Sequence, residues 1–460
     1  MKGQFPQFDP GAKVDYKAIW ETSLFVFDTN VLLNLYRYQT STRDQLLDIL
    51  SKLSDRIWIP HHVALEFQRN RFTVLADQNK RFSEVQGVVN KAKEGLRNDL
   101  DKLQLERRHS LIDPAPLVEG FDSLANEFLK SLEKIQKGQQ KLTDPDPLKD
   151  KIETLFSDRV GPEASGQAEI DTIYGDAEKR YQLEIPPGYL DANKDKHGPA
   201  EYVHGGVNYK RKYGDFLIWH QLLSYAKEKE IKSVAFVTDD AKDDWWWKVK
   251  SDGPKTLGPR PELRDEASRV GGITHFNMYK PEGFLRYSKE FLQSNISNEA
   301  IQEVRDVSRV RTENARRHRD IMNRAGGAEK AVYAWLIKKY DQVEQNQRGY
   351  PDFAVKRNGE NVGFEVKLVS QPRMMGHRVR ELVHQAHFES TEGGLDSVTI
   401  VLVTESESDA MELTNRWLSK WRIDLPTTVT FLVGVLDVDE SEDRRFVPFV
   451  KMSLSETNIM

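Results

Sequence analysis

Short, continuously apolar runs that end in acidic residues recur along the first 280 residues of the chain. The runs LFVF (24–27), IWIP (57–60) and VAFVT (234–238) lack the polar alternation of a half-exposed strand, and this favours buried parallel strands. Helical spacing of apolar residues follows over roughly 40–53 and again from His62. This alternation of strand and helix predicts an α/β domain built on a doubly wound parallel sheet.

A long charged stretch interrupts this pattern. Segments 72–110 and 117–142 are rich in Lys, Glu, Gln and Leu with apolar residues at helical spacing, and they predict a helical hairpin within an insertion of about 72–200. A solvated spacer or a homo-oligomerisation arm accounts for this charge pattern better than a catalytic role does. The Gly-, Pro- and aromatic-rich segment 184–213 predicts a loop at the rim of a site.

A second pattern of alternating elements begins after residue 297. The arginine-rich stretch 298–324 predicts a basic linker helix. Beyond it, apolar patterning gives the order α-β-β-α-β-α-β, which predicts a smaller mixed sheet with flanking helices over 325–460. The first domain is therefore expected to span 1–297, including its insertion.

Composition narrows the class of protein. A chain of 460 residues exceeds the usual size of a single core, so two domains are expected. No apolar run is long enough to span a bilayer and no signal-peptide core is found, which predicts a cytoplasmic protein without a membrane partner. The absence of cysteine excludes disulfides, thiolate zinc sites and a cysteine nucleophile. A net charge of -5 does not by itself indicate nucleic-acid binding, although local basic patches matter more than the sum.

Acidic residues stand where the predicted strands of the first domain end. Asp28 follows the first strand, Glu66 lies near the start of the helix after the second, Asp215 opens a later helix, and Asp239 and Asp240 follow VAFVT. Carboxylates gathered at one sheet edge would repel one another unless cations lay between them. Hard oxygen ligands suit Mg²⁺ or Mn²⁺, and such ions support phosphodiester hydrolysis by activating water and neutralising phosphate charge.

Each of these acids also has a simpler explanation. Asp28 could cap the helix that follows it, Glu66 and Asp215 could stabilise helix N-termini through the helix dipole, and TDD could be a turn. Their common order at strand ends favours the metal site.

Basic and aromatic residues accompany the acids. Arg69 and Arg71 lie on the helix of Glu66, and Lys210, Arg211 and Lys212 precede Asp215. These five side chains could hold a phosphate backbone or form a solvated basic turn. The run of three tryptophans at 245–247 could stack on bases, but core packing is the more usual role of such bulk.

The acidic positions resemble the PIN domain nuclease family. The likeness consists of DTN after the first strand, a Glu on the next helix, an Asp opening a later helix and T-x-D after the following strand, over roughly 20–80 and 205–285. The T-x-D pattern falls on Thr238 and Asp240, which favours Asp240 over Asp239 as a ligand. The resemblance implies that Thr29 or Asn30 supports Asp28, and it favours RNA as a substrate. The long insertion departs from the compact family and leaves the substrate open.

A second acidic set lies near the other end of the chain. Asp352 begins one predicted strand, and Glu365 and Lys367 follow on the next, two residues apart and so on one face. Glu329, on the preceding helix, can complete the set. The carboxylates could bind a divalent cation while Lys367 positions or deprotonates water or stabilises phosphate; a surface ion-pair ladder is the alternative.

This set resembles the PD-(D/E)xK nuclease superfamily over roughly 325–440. Pro351-Asp352 matches the first motif element and Glu365-x-Lys367 the second, and Gln385 looks like the glutamine that several branches carry on the following helix. The resemblance implies a restriction-endonuclease-like domain and favours DNA.

Together these patterns predict a divalent-metal-dependent endonuclease acting on RNA and/or DNA, with a PIN-like domain fused to a PD-(D/E)xK-like domain. Two nuclease folds on one chain suggest defence against foreign nucleic acid. The alternative is a nucleic-acid-binding regulatory protein in which one or both folds are inactive.

Overall fold

The chain forms two compact units, Met1–Thr312 and Glu313–Met460, in a computed structural model. The structure describes the following residues: 4–9, 16–105, 112–192, 200–251, 253–346, 350–357, 359–416, 426–438, 444–452 and 457–459. Within these ranges, every helix is too short or too polar to cross a bilayer.

A parallel sheet of short apolar strands is the centre of the first unit. The strands of this unit are β1 (Leu24–Phe27), β2 (Ile57–Trp58), β3 (Glu201–His204), β4 (Val207–Lys210), β5 (Ser233–Val237), β6 (Trp246–Lys250), β7 (Pro254–Pro259) and β8 (His275–Tyr279). The described sheet has the order β2-β1-β5-β8 with all neighbours parallel. Strand β5 is buried along its whole length, as its unbroken apolar sequence predicts.

Helices cover this sheet. They are α1 (Tyr16–Thr22), α2 (Thr29–Asn34), α3 (Thr40–Lys52), α4 (His61–Lys102), α5 (Ala115–Lys137), α6 (Pro147–Leu155), α7 (Gln167–Gln182), α8 (Gly214–Glu228), α9 (Pro261–Arg269) and α10 (Pro281–Phe291). Trp20 of α1 is buried against Phe25 of β1 and Phe284 of α10, with ring centroids 4.9 and 5.5 Å away. This aromatic packing joins α1 and α10 to β1. The parallel register Phe27↔Val237 brings the carboxyl ends of β1 and β5 to the same edge of the sheet.

The insertion carries the long hairpin of α4 and α5. These helices occupy the two predicted helical segments and are joined side by side by Arg97 to Asp122 (2.6 Å) and Lys93 to Asn126 (2.8 Å). Because α4 starts at His61, one continuous helix carries Glu66 in its second turn and then continues into the hairpin of the insertion.

The prediction of a loop over 184–213 is wrong in part. The segment contains the antiparallel hairpin β3–β4 and two short 3-10 helices, Tyr189–Asp191 and Arg211–Tyr213. Val207 and Tyr209 alternate inward on β4 and are buried, and this anchors a sequence whose Gly and Pro content indicated irregular structure.

The second unit is built on a mixed sheet. Its strands are β9 (Val343–Gln345), β10 (Phe353–Arg357), β11 (Glu360–Leu368), β12 (Ser397–Thr404), β13 (Val429–Val438), β14 (Arg444–Met452) and β15 (Thr457–Ile459). Among the described residues they lie in the order β15-β14-β13-β12-β11-β10-β9, with β11, β12 and β13 parallel to one another. The apolar runs predicted the four strands β10 to β13, whereas β9, β14 and β15 at the sheet edges were not predicted.

Helices pack on both faces of this sheet. They are α12 (Met375–Glu392), α13 (Glu407–Arg416) and the part of α11 (Asn298–Lys339) that follows Thr312. The predicted linker helix and the helix after it are one helix, α11. Its last turns pack on Phe364 and Val366, whereas α12 and α13 pack on the opposite face with Ile400.

Candidate active site

Asp28 lies at the carboxyl end of β1, where its backbone and side chain are both fixed. Its N–H donates to the Val237 carbonyl at the end of β5 (2.9 Å), and its Oδ2 accepts from Thr238 Oγ1 (2.7 Å) and Asn30 Nδ2 (3.2 Å). The side chain makes no capping hydrogen bond to α2, so helix capping does not account for this aspartate.

Glu66 reaches the same region from α4. Thr29 Oγ1, next to Asp28 in the chain, donates to Glu66 Oε2 at 2.8 Å. Gly214 at the start of α8 passes so close that a Cβ there would lie 3.3 Å from Glu66 Oε1. His62, one turn before Glu66, has its Nε2 3.7 Å from the same oxygen, and burial lowers the pKa of His62 to about 3. The imidazole is therefore neutral near pH 7.

Asp215 and Asp240 are joined by a lysine that the sequence analysis missed. Lys242 Nζ lies 2.9 Å from Asp215 Oδ2, 2.8 Å from Asp240 Oδ2 and 2.8 Å from Asp191 Oδ2. Its three N–H donors thus match three carboxylates. Burial alone would lower the pKa of Lys242, but the surrounding aspartates raise it well above its usual range, so the ammonium is charged.

Asp28 is itself close to the other acids. Burial, with smaller contributions from Asp215, Asp240 and Glu66, raises the pKa of Asp28 to about 7, although the Thr238 hydrogen bond opposes the shift. The structure thus brings together the four acids Asp28, Glu66, Asp215 and Asp240, and Lys242 compensates only part of their charge.

A buried turn supplies Asp191. Asp244, fully buried, accepts hydrogen bonds at Oδ2 from the backbone N–H groups of Gly188 (3.0 Å) and Leu190 (3.2 Å), and burial raises its pKa to about 6. Gly188 has φ 92°, and a Cβ there would lie 3.1 Å from Asp215 Cβ, so glycine permits the close approach of this turn. The sequence signals for Asp191 and Lys242 were weak: Asp191 lies in the predicted rim, and Lys242 lies two residues after Asp240.

Asp239 points elsewhere. Its Oδ2 accepts from Asn34 Nδ2 (2.8 Å) and Arg311 Nη1 (3.1 Å), and its side chain is almost fully buried. Because this oxygen is engaged by an amide and a guanidinium, we do not retain Asp239 among the proposed ligands.

The predicted phosphate-binding residues divide into two groups. Arg71 is buried and pairs with Asp146 (2.8 Å), so we leave it out of the proposed interface. Arg69 is exposed, with its guanidinium carbon 3.5 Å from the centre of the Tyr202 ring. The segment Lys210, Arg211 and Lys212 reaches the surface just before Asp215, and Arg211 is its most exposed member.

The tryptophans at 245–247 support the acids. Trp245 and Trp246 are buried in the core, and Trp246 Nε1 donates to the Asp240 carbonyl at 2.6 Å. Trp245 Nε1 lies 3.4 Å from Asp215 Oδ2 and its ring stacks on Phe236. Of the two roles considered for this run, base stacking and core packing, Trp245 and Trp246 therefore have the second.

The second acidic set lies across two strands of the other unit. The register Phe353↔Phe364 places Asp352 opposite Glu365. Asp352 Oδ2 accepts from Val366 N–H (2.7 Å), Glu365 Oε2 accepts from Asp352 N–H (3.2 Å), and Lys367 Nζ donates to Glu365 Oε1. Burial, and secondarily Asp352, raises the pKa of Glu365, although Lys367 opposes this. The three predicted residues are therefore neighbours.

The other two residues predicted for this site, Glu329 and Gln385, lie on helices. Gln385 is an exposed residue of α12. Glu329 lies on α11 between residues that pack with Phe364 and Val366, and strand alternation puts Glu365 on the opposite face of β11. Their predicted roles stay predictions.

No group of three or more His, Cys, Asp or Glu side chains is arranged to hold a metal ion within the described parts of the chain. In the first unit the ammonium of Lys242 lies among Asp191, Asp215 and Asp240 and contacts all three. The donor atoms are nevertheless hard carboxylate oxygens of the kind that Mg²⁺ and Mn²⁺ prefer.

Comparison with known proteins agrees with the geometry of the first unit. The profile of a family described as a PIN like domain matches residues 24–263, slightly more than half of the 460-residue chain. No curated protein and no solved structure matches the chain significantly. The matched region begins at β1, just before Asp28, and includes Glu66, Asp215, Asp240 and Lys242. The chain belongs to the PIN-like domain family.

Proposed function

We propose that the first unit is a metal-dependent nuclease that hydrolyses phosphodiester bonds, with Asp28, Glu66, Asp215 and Asp240 as the residues that hold a divalent cation. PIN-like domains are generally metal-dependent nucleases, and family membership therefore supports a nuclease-type function. The observation that carries the proposal is the buried Asp28 carboxylate beside three further acids: burial, followed by smaller contributions from Asp215, Asp240 and Glu66, raises its pKa to about 7. An added cation would relieve that repulsion.

When bound, Mg²⁺ or Mn²⁺ supplies activation of the attacking water and neutralisation of the scissile phosphate. The protein's own side chains set the geometry of the carboxylates. Thr238 and Asn30 orient Asp28, Thr29 orients Glu66, and Lys242 holds Asp215 and Asp240. The side-chain hydrogen bonds that the structure describes for Asp28 both fall on Oδ2, so we assign Oδ1 as the atom that would face a cation.

Exposed basic residues beside the acids fit a nucleic-acid backbone. Arg69 is braced by the Tyr202 ring, and Arg211 lies four residues before Asp215. We propose that these two, with Lys210 and Lys212, bind phosphates on either side of the scissile bond. The substrate class is RNA and/or DNA.

For the second unit we propose a PD-(D/E)xK-like nuclease site formed by Asp352, Glu365 and Lys367. Their support is the pairing of Asp352 and Glu365 across β10 and β11 and the contact of Lys367 with Glu365. Two such sites on one chain would suit defence against foreign nucleic acid.

One observation favours a second function. Lys242 already neutralises part of the acidic set, and the described side chains form no ready metal cluster. A nucleic-acid-binding regulatory protein with an inactive first unit would also show this arrangement.

Adjacent aspartates provide the test that separates the two functions. We expect labelled single-stranded RNA or DNA to be cut by the full chain with Mg²⁺ or Mn²⁺ and to remain intact in EDTA. Because Asp240 faces the site and Asp239 faces Arg311, Asp240→Asn should lower the cleavage rate about 100-fold or more, whereas Asp239→Asn should retain most of it. Substrate binding without metal-dependent cleavage by the wild type would instead support the regulatory function.

A further inference from the structure

The second unit contains a cavity of about 900 Å³ that the proposed nuclease sites do not use. The last turns of α11 contribute Trp335, Lys339 and Tyr340 to one wall. The floor crosses the sheet and includes Phe364 of β11 and Thr399 of β12. A cavity of this size matches those that hold small organic ligands.

This cavity and the acidic set belong to opposite faces of the same sheet. The register places Phe364, Thr399 and Thr430 side by side on β11, β12 and β13. Glu365 follows Phe364 directly, so strand alternation turns its side chain to the other face. A ligand in the cavity would therefore lie apart from Asp352, Glu365 and Lys367.

Four positive side chains from three elements line the cavity. They are Lys339 at the end of α11, Lys356 and Arg357 on β10, and Lys451 on β14. None of them forms an ion pair with an acidic side chain in the described parts of the chain, although Asp341 and Glu360 also line the cavity.

Three of the four charges lie close enough to influence one another. Burial, followed by the nearby charges of Lys451 and Arg357, lowers the pKa of Lys339. Elsewhere in the protein, clustered charges are neutralised by opposite ones, as Lys242 is by three aspartates and Arg71 by Asp146. Positive groups gathered without such partners favour an anion between them.

We propose that this cavity binds the phosphate groups of a nucleotide, with Lys339, Lys356, Arg357 and Lys451 as its anion-binding residues. Cations that approach from α11, β10 and β14 can contact several phosphate oxygens from different sides, and the guanidinium of Arg357 can donate two parallel hydrogen bonds.

The remaining lining suits the rest of a nucleotide. Thr399 and Thr430 provide hydroxyl groups for a sugar or base, and Phe364 and Leu432 provide apolar surface. Trp335 and Tyr340 form an aromatic wall, in which the Trp335 ring lies 4.8 Å below Lys339 Nζ. The phosphates could belong to a free nucleotide or to the end of a nucleic-acid strand, since both present the same group.

Calorimetric titration of the full chain in EDTA tests the proposal with four probes: ATP, ADP, inorganic phosphate and a 5′-phosphorylated thymidine decamer. EDTA removes any divalent cation, so the result does not depend on nuclease activity. We expect ATP to bind more tightly than ADP, and ADP more tightly than phosphate, because each added phosphate reaches another cation. Binding of the decamer alone would assign the cavity to a strand end, and binding of ATP would assign it to a free nucleotide.

Two double variants test whether binding depends on the lysines of the cavity or only on the positive charge of the protein in general. Lys339→Gln with Lys451→Gln removes two cavity cations and should weaken binding about tenfold or more. Lys330→Gln with Lys338→Gln makes the same charge change at exposed positions of α11 outside the cavity and should leave affinity nearly unchanged.

Three outcomes would overturn the proposal. They are no binding of any probe by the wild type, equal weakening by both double variants, and a lower melting temperature for Lys339→Gln with Lys451→Gln. A lower melting temperature would count against the proposal because Lys339 and Lys451 repel each other in the empty cavity, so removing both charges should leave stability unchanged or raise it.

Discussion

At the scale of single residues, the charge of Asp28 links the site's geometry to its chemistry. Thr238 and Asn30 hold the carboxylate, while burial and the neighbouring acids disfavour its ionisation. The Asp28 side chain is therefore held in place by neutral donors, and the hydrogen bonds described for it include none from a positively charged group. A group of this kind gains most from a bound cation, and it also makes stability depend on pH.

Asp28→Asn should change that pH dependence in a defined direction. The pKa of Asp28 rises from 3.8 to about 7 on folding, so ionising it in the folded state costs stability as pH increases between these values. In EDTA, the free energy of unfolding of Asp28→Asn relative to wild type should therefore increase by roughly 2–4 kcal/mol from pH 4 to pH 7.5. Urea denaturation at several pH values measures this difference. A difference that stays constant with pH would contradict the burial of the Asp28 carboxyl beside the other acids.

Lys242→Met tests the internal cation. Removing the ammonium takes away the positive charge that contacts Asp191, Asp215 and Asp240 together, and the variant should lose about 3 kcal/mol of stability in EDTA. If the acids can hold a divalent cation, Mg²⁺ should raise the melting temperature of the variant more than that of the wild type. Lys248→Met is the matched control, because Lys248 pairs with the exposed Asp243 and its loss should cost about 1 kcal/mol or less. Equal Mg²⁺ responses in wild type and Lys242→Met would argue against competition between lysine and metal.

At the scale of elements, the insertion is fastened to the domain by a buried polar contact. Asp146 caps α6 through Lys149 N–H (3.0 Å) and also binds Arg71 of α4 (2.8 Å) and the Tyr36 hydroxyl (2.9 Å). One aspartate therefore joins the start of α6, the base of the hairpin and the segment after α2. This explains why Arg71 is unavailable to a substrate.

Asp146→Asn should loosen this junction. The variant leaves the buried Arg71 guanidinium without its carboxylate, which should cost about 3 kcal/mol of unfolding free energy. Asp144→Asn, two residues earlier and exposed, should change stability by no more than about 0.5 kcal/mol. Chemical denaturation of both variants makes the comparison. Equal stabilities would show that the Arg71–Asp146 pair does not anchor the insertion.

The same scale shows what the sequence could predict. The apolar runs of β1, β5 and β12 are strong signals because a strand buried on both faces must be apolar at every position. Asp28, Asp215 and Asp240 were found because they stand at the ends of such elements. Asp191 could not be found in this way, since the hydrogen bonds of Asp244, more than fifty residues away in the chain, fix its turn.

The sequence also could not predict in which direction individual side chains point. Arg69 and Arg71 lie two residues apart on α4 and so point to different sides, which leaves one exposed and the other buried. Asp239 and Asp240 are adjacent, yet one binds Arg311 and the other binds Lys242. The direction of each side chain depends on the partner it meets in the fold. That partner is distant in the chain, so local sequence spacing does not reveal it.

At the scale of the whole molecule, the two units have separate cores and separate acidic sets. The core of the first unit contains β1 and β5, and the cores of the second lie on the two faces of its own sheet. Changes in one unit should therefore act independently of changes in the other. This independence makes it possible to assign each proposed activity to its unit.

Single substitutions in the full chain should separate the two proposed activities. If the PIN-like unit cuts RNA and the proposed PD-(D/E)xK-like site of the second unit cuts DNA, Asp28→Asn should lower RNA cleavage about 100-fold and Glu365→Gln should lower DNA cleavage to a similar extent. Each variant should keep the other activity near the wild-type rate, since neither side chain packs in the other core. Matched RNA and DNA substrates with Mn²⁺ measure both rates in one preparation. Loss of both activities on Asp28→Asn would place all cleavage in the first unit and leave Asp352, Glu365 and Lys367 with a binding or structural role.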